Sequence, residues 1–293
     1  MGQLKNDMID YMIIRGYSDK TIKLYTNCIK IVSNYFMRSP LLLSTDELYN
    51  FMLSLKKSQK SDSTIHIYYE SIKFFYSMHK MNYIVPQIDF LRRPKRLPQV
   101  LSHTEILSIL NKCKNLRIKT IICLLYSSGI RLAEVINLNK SDIDFNRKTI
   151  FVRNGKNNKD RYTILSKEAG KILQEYFLQY NPSSILFYNE QDKNKRISPS
   201  CIQRHFKTLI QKAEITKNVH VHTLRHSFAT HSLENGTNIF QIMHLLGHSH
   251  IQTTMIYLHI QTNDLSSITS PLDSILPESN KLNANDTLFL QIA

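Results

Sequence analysis

The sequence predicts a mainly α-helical protein of two domains with one small antiparallel β-sheet. Apolar residues recur at helical spacing over most of the 293 residues. A stretch with two prolines and four basic residues interrupts this spacing near residue 95. One clear β pattern follows, between residues 142 and 165. The chain is long enough for two cores of ordinary size. We therefore expect domains at 1–91 and 102–262, a basic linker at 92–101 and a tail at 263–293.

The first domain is predicted to be all helical. Ser18 is placed to cap one helix, and Ser44 with Glu47 has the spacing of a capping box for the next. A third helix is expected to begin near Ser63. The apolar stripes of these helices are expected to form the core, and they comprise Ile22, Tyr25, Ile29, Val32, Phe36, Leu48, Phe51, Met52, Leu55, Ile65, Tyr68, Tyr69, Ile72, Phe75 and Tyr76.

The second domain is predicted to mix helices with the sheet. Ser102 and Glu105 again form a capping-box pattern, and a glycine turn at Gly129 precedes a helix that begins close to Arg131. The remaining elements are helices at 117–127, 167–180 and 198–213, strands at 142–144, 149–153 and 162–165, and a short strand at 185–187. The polar hairpin between the second and third strands is expected to present Lys156, Lys159 and Arg161 at its tip.

Charge and cysteine usage narrow the class of protein. The formal net charge is +15, with 15 basic and 8 acidic residues in 1–98 and the remaining 23 and 15 in 99–293. Both halves are therefore basic, which favours a polyanion such as nucleic acid as the partner. The four cysteines show no C-x-x-C spacing and are expected to be free thiols. No apolar run approaches the length of a membrane span, so we expect a soluble, cytoplasmic protein.

The stretch from Val221 to His259 concentrates the residues suited to chemistry. His222 and Arg225 are three positions apart and share one face of a helix. Gly247 is predicted to end a helix, and Ser249 to cap a new helix that carries Tyr257. We expect His222, Arg225, His248 and Tyr257 to converge. Arginine and histidine donors around a phenol suit an anionic tetrahedral centre, which means a phosphate.

Three sequence blocks in this stretch resemble those of a known family. They read H-T-L-R-H-S-F-A-T-H, L-L-G-H-S and T-T-M-I-Y-L-H, in this order. They are similar to the C-terminal signature of the tyrosine recombinases, the phage-integrase family, and most of all to its Xer and integron-integrase branch. The resemblance implies a two-domain DNA clamp, with an all-α, SAM-like core-binding domain and a catalytic domain of the DNA breaking-rejoining type.

The resemblance also implies roles for individual residues. Tyr257 would be the nucleophile that attacks a DNA phosphodiester. Arg131, in S-G-I-R-L-A-E, and Arg225, in H-T-L-R-H, match the two phosphate-binding arginines of the family. His222 and His248 match its two ring donors, one handling the tyrosine proton and the other a phosphate oxygen. Which histidine does which stays open.

Three further positions are supporting or alternative. The family carries a lysine on the β-hairpin that protonates the leaving 5′ oxygen, and Lys156 in N-G-K-N-N-K-D-R matches it best, with Lys159 as the alternative. Glu134 matches an acidic position that steadies its neighbours. His222 and His226 have the spacing of half a zinc-protease site, but Thr223 stands where that motif needs glutamate. We therefore expect no metal and no other cofactor, and a structural or supporting place for His226.

The function implied is site-specific recombination of double-stranded DNA at inverted-repeat sites. Four protomers would act on two duplexes through a Holliday junction, by way of a 3′-phosphotyrosine. A type IB topoisomerase and a catalytically inactive DNA-binding relative are the alternatives. The 36 residues that follow Tyr257 favour an enzyme of a mobile element, and this tail could dock on a neighbouring protomer.

Overall fold

The computed structural model describes residues 2–90, 97–153 and 160–258. The chain divides into two compact units, at 1–94 and 95–293. Half of the basic linker predicted at 92–101, namely 92–96, and all of the tail predicted at 263–293 lie outside the described residues. The domain boundaries expected from the sequence therefore remain a prediction.

All the secondary-structure elements described in the first unit are helices. Ser18 caps α2, and Ser44 with Glu47 forms a complete capping box at α3, as predicted. The third helix, predicted to begin near Ser63, begins at Asp62 and is capped by Ser61. Sequence reasoning missed the first helix, which buries Met8 and Met12. The elements are α1 (Gly2–Ile14), α2 (Asp19–Phe36), α3 (Thr45–Lys57) and α4 (Asp62–Met78), with short 3₁₀ turns at Pro40–Leu42 and Asn82–Ile84.

The apolar stripes of these helices form one core, as their spacing predicts. Leu48, Phe51, Ile72 and Phe75 are each no more than 1% exposed. Helices α2 and α4 pack closely, and α1 contacts both of them. The aromatic stripe of α4 therefore belongs to this core, with Phe75 and Tyr76 buried and Tyr68 and Tyr69 packed partly buried against it.

The second unit surrounds a larger core with helices and a three-stranded sheet. Its helices are α5 (His103–Lys112), α6 (Leu116–Ser128), α7 (Leu132–Asn137), α8 (Lys167–Tyr180), α9 (Pro199–Lys212), α10 (Val221–Glu234), α11 (Ile239–Leu246) and α12 (Gln252–Met255). The strands β1 (Ile143–Asp144), β2 (Thr149–Val152) and β3 (Arg161–Ile164) are antiparallel in the order β1-β2-β3. Helix α6 lies at the centre, since it packs against both α8 and α10. The predicted fold class is confirmed.

The short strand predicted at 185–187 is wrong. Ile185 forms only an isolated bridge with Asn139. The next two residues bond to different segments, since the Leu186 N–H donates to the Leu138 carbonyl and the Phe187 carbonyl accepts from the Ile197 N–H. No continuous ladder can form, and the apolar run instead fills the core.

The predicted cap at Ser249 is also wrong. Gly247 ends α11 in a left-handed conformation, as expected. However, α12 begins only at Gln252, its N-cap residue is Ile251, and Tyr257 lies in the turn that follows. Hydrogen bonds between residues three apart tighten this segment, among them Tyr257 N–H to the Thr254 carbonyl at 3.1 Å. The helix therefore stops after one turn and does not reach the tyrosine.

Within the described ranges, no helix combines the length and the apolar character needed to cross a bilayer.

Candidate active site

Five side chains singled out in the sequence line one cavity of the second unit. Its volume is about 280 Å³. The wall is formed by the start of α7, one face of α10 and the segment that follows α11. Its lining residues are Arg131, His222, Arg225, His226, Gly247, His248, Ser249, His250, Thr253, Ile256 and Tyr257. The cavity thus contains two guanidiniums, several imidazoles and one phenol.

Arg225 is held by the carboxyl ends of two helices. Its side chain lies on α10 and is 2% exposed. Nη1 donates to the Gly129 carbonyl just beyond α6 at 2.7 Å, and Nη2 donates to the Leu246 carbonyl at the end of α11 at 2.6 Å. Burial, followed by the nearby charge of Arg131, lowers the pKa of Arg225 to about 9. The guanidinium is still charged at neutral pH and is fixed in place.

Arg131 is positioned through Glu134. Arg131 donates two hydrogen bonds to this carboxylate. Its backbone N–H donates to Oε2 and its Nη1 donates to Oε1, each at 2.8 Å. Arg161 binds the same carboxylate through Nη1 at 3.0 Å and Nη2 at 2.8 Å. Burial alone would raise the pKa of Glu134, but the hydrogen bonds and charge of Arg161, and then those of Arg131, lower it to about 2. One ionised carboxylate therefore fixes two guanidiniums.

Arg161 does not lie at the hairpin tip, where the sequence was taken to place it. It begins β3, its side chain is only 10% exposed, and its Nε donates to the Leu245 carbonyl at 3.0 Å. Thr163 and Leu165, two and four positions on, are also buried. The two-residue alternation of a strand places all three on one face, so this signal was present in the sequence.

Tyr257 is buried and its hydroxyl bonds to a histidine that the sequence assigned to a supporting place. The ring is 2% exposed and packs with Phe228, Ala229 and Leu246. Its hydroxyl lies 2.9 Å from Nδ1 of His226. Burial raises the pKa of the phenol, although the charges of Arg225 and Arg131 act in the opposite direction. The phenol is therefore protonated at neutral pH.

His226 shares the helix face of His222, four residues earlier. The two rings meet edge to face with their centroids 4.8 Å apart. Burial, then the neighbouring His222 and Arg225, lower the pKa of His226 to about 4, so its ring is neutral. The four-residue spacing was visible in the sequence, whereas the contact with Tyr257 was not.

The two predicted ring donors, His222 and His248, both reach the cavity. His222 is the more exposed of the two. Partial desolvation, and then the charges of Arg225 and Arg131, lower the pKa of His222. Nδ1 of His248 lies 2.8 Å from the Thr254 hydroxyl, which is fully buried. This contact ties the ring to α12.

The comparisons with known proteins identify the family. The sequence profile of the phage integrase family matches residues 99–264, and that of the phage integrase N-terminal SAM-like domain matches residues 4–83. The chain belongs to the phage integrase family. The match confirms the family predicted from the signature blocks. A relative named XerA, described next, is consistent with the predicted Xer-like branch.

Named relatives of this phage integrase family member are tyrosine recombinases. The chain is 32% identical over 265 residues to a tyrosine recombinase of Thermosipho africanus, covering 86% of this chain and 93% of that protein. It is 32% identical over 257 residues to tyrosine recombinase XerA of Pyrococcus horikoshii, covering 87% of this chain and 88% of that protein. The crystal structure of XerH bound to its difH substrate in a pre-cleavage complex has the same fold, with a TM-score of 0.68, 22% identity and coverage of 84% and 77%.

Two lysines were expected on the hairpin, Lys156 and Lys159. Both lie outside the described residues. The described residues stop at Arg153 and resume at Asp160, and β2 and β3 pair up to Val152 and Arg161. Over the part of the chain that the structure describes, no three His, Cys, Asp or Glu side chains form a group that could hold a metal ion.

Proposed function

We propose that this chain is a site-specific DNA recombinase that cuts and rejoins strands through a 3′-phosphotyrosine on Tyr257. The observation that carries the proposal is the buried phenol in one cavity with the guanidiniums of Arg131 and Arg225. A phenol is a weak nucleophile until it is positioned beside cationic donors. The relatives named tyrosine recombinases and XerH in complex with its difH DNA support the same conclusion.

The proposed reaction exchanges one phosphodiester bond for another. The Tyr257 oxygen forms a bond to phosphorus, and the bond from phosphorus to the 5′ oxygen breaks. The phenol passes its proton to one of the two predicted rings, His222 or His248, and the other ring hydrogen-bonds a phosphate oxygen. The leaving 5′ oxygen takes a proton from Lys156, with Lys159 as the alternative. Because the bond energy is kept in the phosphotyrosine, a 5′ hydroxyl can attack it and restore a DNA strand.

Two guanidiniums of different exposure would receive the phosphate. The side chain of Arg131 is 24% exposed, whereas Arg225 is buried and already anchored to two carbonyls. Attack on phosphorus adds negative charge to the non-bridging oxygens, and donors fixed in advance stabilise that charge without reorganising. Arg131 is thus suited to capture the phosphate, and Arg225 to stabilise the transition state.

The proposed assembly follows from the reaction. Joining strands of two duplexes requires two cleaved sites, each with two protomers, so we infer a tetramer acting through a Holliday junction. The partners would be double-stranded DNA sites with inverted repeats, contacted by a core-binding domain at 1–91 and a catalytic domain at 102–262. The tail at 263–293 is a candidate for contact with the neighbouring protomer.

The first test is covalent capture of DNA. A pool of nicked duplexes with random arms releases a short fragment after cleavage, which traps the phosphotyrosine adduct. We expect the wild-type protein to yield an adduct that survives denaturation, from which the preferred site is sequenced. Tyr257→Phe should yield none while binding the recovered site with unchanged affinity. Arg225→Ala should lower the rate of adduct formation by about 10²–10³-fold, the usual cost of losing one such donor.

Tyr83→Phe is the matched control, because Tyr83 is 78% exposed and lies in the other unit. It should form the adduct at the wild-type rate. No adduct with the wild-type protein would mean a DNA-binding relative without catalysis. An adduct that relaxes supercoils but never transfers a strand to a second duplex would mean a type IB topoisomerase.

A further inference from the structure

The hydroxyl of Tyr257 contacts one residue that the proposed chemistry does not use. This residue is His226, whose Nδ1 lies 2.9 Å from the phenol oxygen. We propose that His226 is a positioning residue that holds the hydroxyl of Tyr257 towards the cavity in which the phosphate would bind. The inference rests on the proposed role of Tyr257 as the nucleophile, and it assigns the group that orients it.

The backbone around Tyr257 provides little rigidity of its own. Helix α12 has only four residues, and no side chain caps its start. Tyr257 follows in a turn, tied back by its N–H bond to Thr254. Attack on phosphorus requires the oxygen to be placed closely, and a displacement of about 1 Å can cost 10²-fold in rate. A second attachment point is therefore needed at the hydroxyl.

Helix α10 supplies that attachment point. It has 14 residues, and His226 lies near its middle between Arg225 and Ser227, which are 2% and 0% exposed. The His226 ring is itself held edge to face by His222. A side chain on a packed helix can hold a reacting group more closely than a turn can. The same helix carries Arg225, which we propose to donate hydrogen bonds to the phosphate. One rigid helix therefore positions both the nucleophile and this donor.

The contact orients the phenol and does not ionise it. Burial lowers the pKa of His226 to about 4 and raises that of Tyr257 above its usual value of 10. The imidazole is therefore a much weaker base than the phenolate, and the proton stays on the phenol. Loss of His226 should slow the attack of Tyr257 and should leave the phosphate-binding guanidiniums of Arg131 and Arg225 in place.

Three substitutions of His226 separate the hydrogen bond from the shape of the ring. His226→Leu removes the bond, His226→Asn keeps a polar group close to the position of Nδ1, and His226→Gln places one farther out. On the nicked site recovered with the wild-type protein, we expect the first variant to form adduct about 10²-fold more slowly with unchanged DNA affinity. The second should regain most of this rate, and the third little of it. His244→Leu, which alters an exposed imidazole on α11, should match the wild type.

A second assay bypasses Tyr257. DNA that ends in a 3′-p-nitrophenyl phosphate carries its own phenol leaving group. When the 5′ oxygen of an acceptor strand bonds to phosphorus, its proton passes to the buffer. The bond from phosphorus to the nitrophenyl oxygen breaks, and coloured nitrophenolate is released. Tyr257→Phe should catalyse this joining, and adding His226→Leu to it should not change the rate. A structural role for His226 would instead slow both assays together.

The outcomes distinguish the two proposals. If the wild-type protein captures no DNA, the proposed function fails. If it captures DNA and His226→Leu does so at the same rate, only the positioning role fails. Slower joining in the double variant than in Tyr257→Phe would also overturn the positioning role. His226 would then act on the phosphate-binding residues and not on Tyr257.

Discussion

Glu134 shows how a single residue organises the candidate site. Its carboxylate is 7% exposed at the side chain and accepts hydrogen bonds from Arg131 and Arg161. Arg161, which begins β3, is thereby joined to the start of α7. The carboxylate offsets part of the positive charge of these guanidiniums, while the Arg131 side chain stays 24% exposed. Glu134 thus both compensates charge and positions the two arginines.

Replacing Glu134 with glutamine should destabilise the second unit. The amide keeps the shape but leaves Arg161 without its charged partner, and breaking a buried ion pair costs about 3–5 kcal/mol. The folded pKa of about 2 lies below the ordinary value of 4.5. The stabilisation is therefore full above pH 4.5 and is lost as the pH falls towards 2. Urea unfolding followed by circular dichroism at neutral and at acid pH measures both effects.

The matched control is Glu168→Gln. This carboxylate pairs with Lys171 but is 73% exposed at the side chain, so water screens the pair and its loss should leave the urea midpoint almost unchanged. Equal losses for the two variants, or a Glu134→Gln deficit that does not shrink in acid, would show that the buried pair does not stabilise the fold.

At the level of elements, two helix ends hold Arg225, for which we propose phosphate binding. The last carbonyls of a helix have no partner inside it and carry the negative end of its dipole. Gly129 follows α6 and Leu246 ends α11, and both carbonyls accept from Arg225. The buried guanidinium is thus solvated by backbone groups. The position of Arg225 depends on where these two helices stop.

Gly129→Ala should therefore impair cleavage as well as stability. Gly129 has φ +64°, and an added Cβ would lie 2.4 Å from Phe228 Cδ1. A left-handed conformation costs a non-glycine residue about 1–2 kcal/mol, and the clash adds to it by moving the carbonyl that holds Arg225. We expect a lower unfolding midpoint and slower adduct formation at saturating DNA.

Gly236→Ala provides the control for backbone strain alone. Gly236 has φ +80°, but an added Cβ would meet nothing within 4 Å. This variant should lose about 1–2 kcal/mol of stability at most and cleave DNA at the wild-type rate. Wild-type cleavage by Gly129→Ala as well would show that the helix ends do not set the position of Arg225.

At the scale of the whole molecule, positive charge is spread over both units. The excess is +7 in residues 1–98 and +8 in 99–293, from 15 against 8 and 23 against 15 charged residues. Such a distribution fits contact of both units with the same polyanion. Each phosphate that is neutralised releases counterions, so binding should depend strongly on salt.

The affinity for the recovered DNA site should fall linearly with salt concentration on logarithmic axes. Six to ten phosphate contacts would weaken binding by about 10³–10⁵-fold between roughly 50 and 200 mM salt. Fluorescence anisotropy with labelled duplex measures the slope, and circular dichroism over the same range checks that the fold persists. A slope close to zero would contradict DNA binding through neutralised phosphates.

Local signals in the sequence were sufficient for most of the elements. The capping boxes at Ser44 and Ser102 and the glycine stop at Gly247 act over a few residues, and all three are present in the structure. The predictions failed where local signals compete. Ser249 had the chemistry of a cap, yet the tight turns around Ile251 start α12 later. The apolar run at 185–187 had a strand composition but bonds to two different segments.

Motif spacing and helical periodicity are local properties, and they were enough to predict the family and five of the residues that line the cavity. How those residues are held, and the contact of His226 with Tyr257, emerge only from the folded chain. Arg225 bonds to carbonyls 96 and 21 positions away, Arg161 to a carboxylate 27 positions away, and Tyr257 to an imidazole 31 positions away. Contacts between residues so far apart depend on how helices pack and where they end, and no local pattern encodes that.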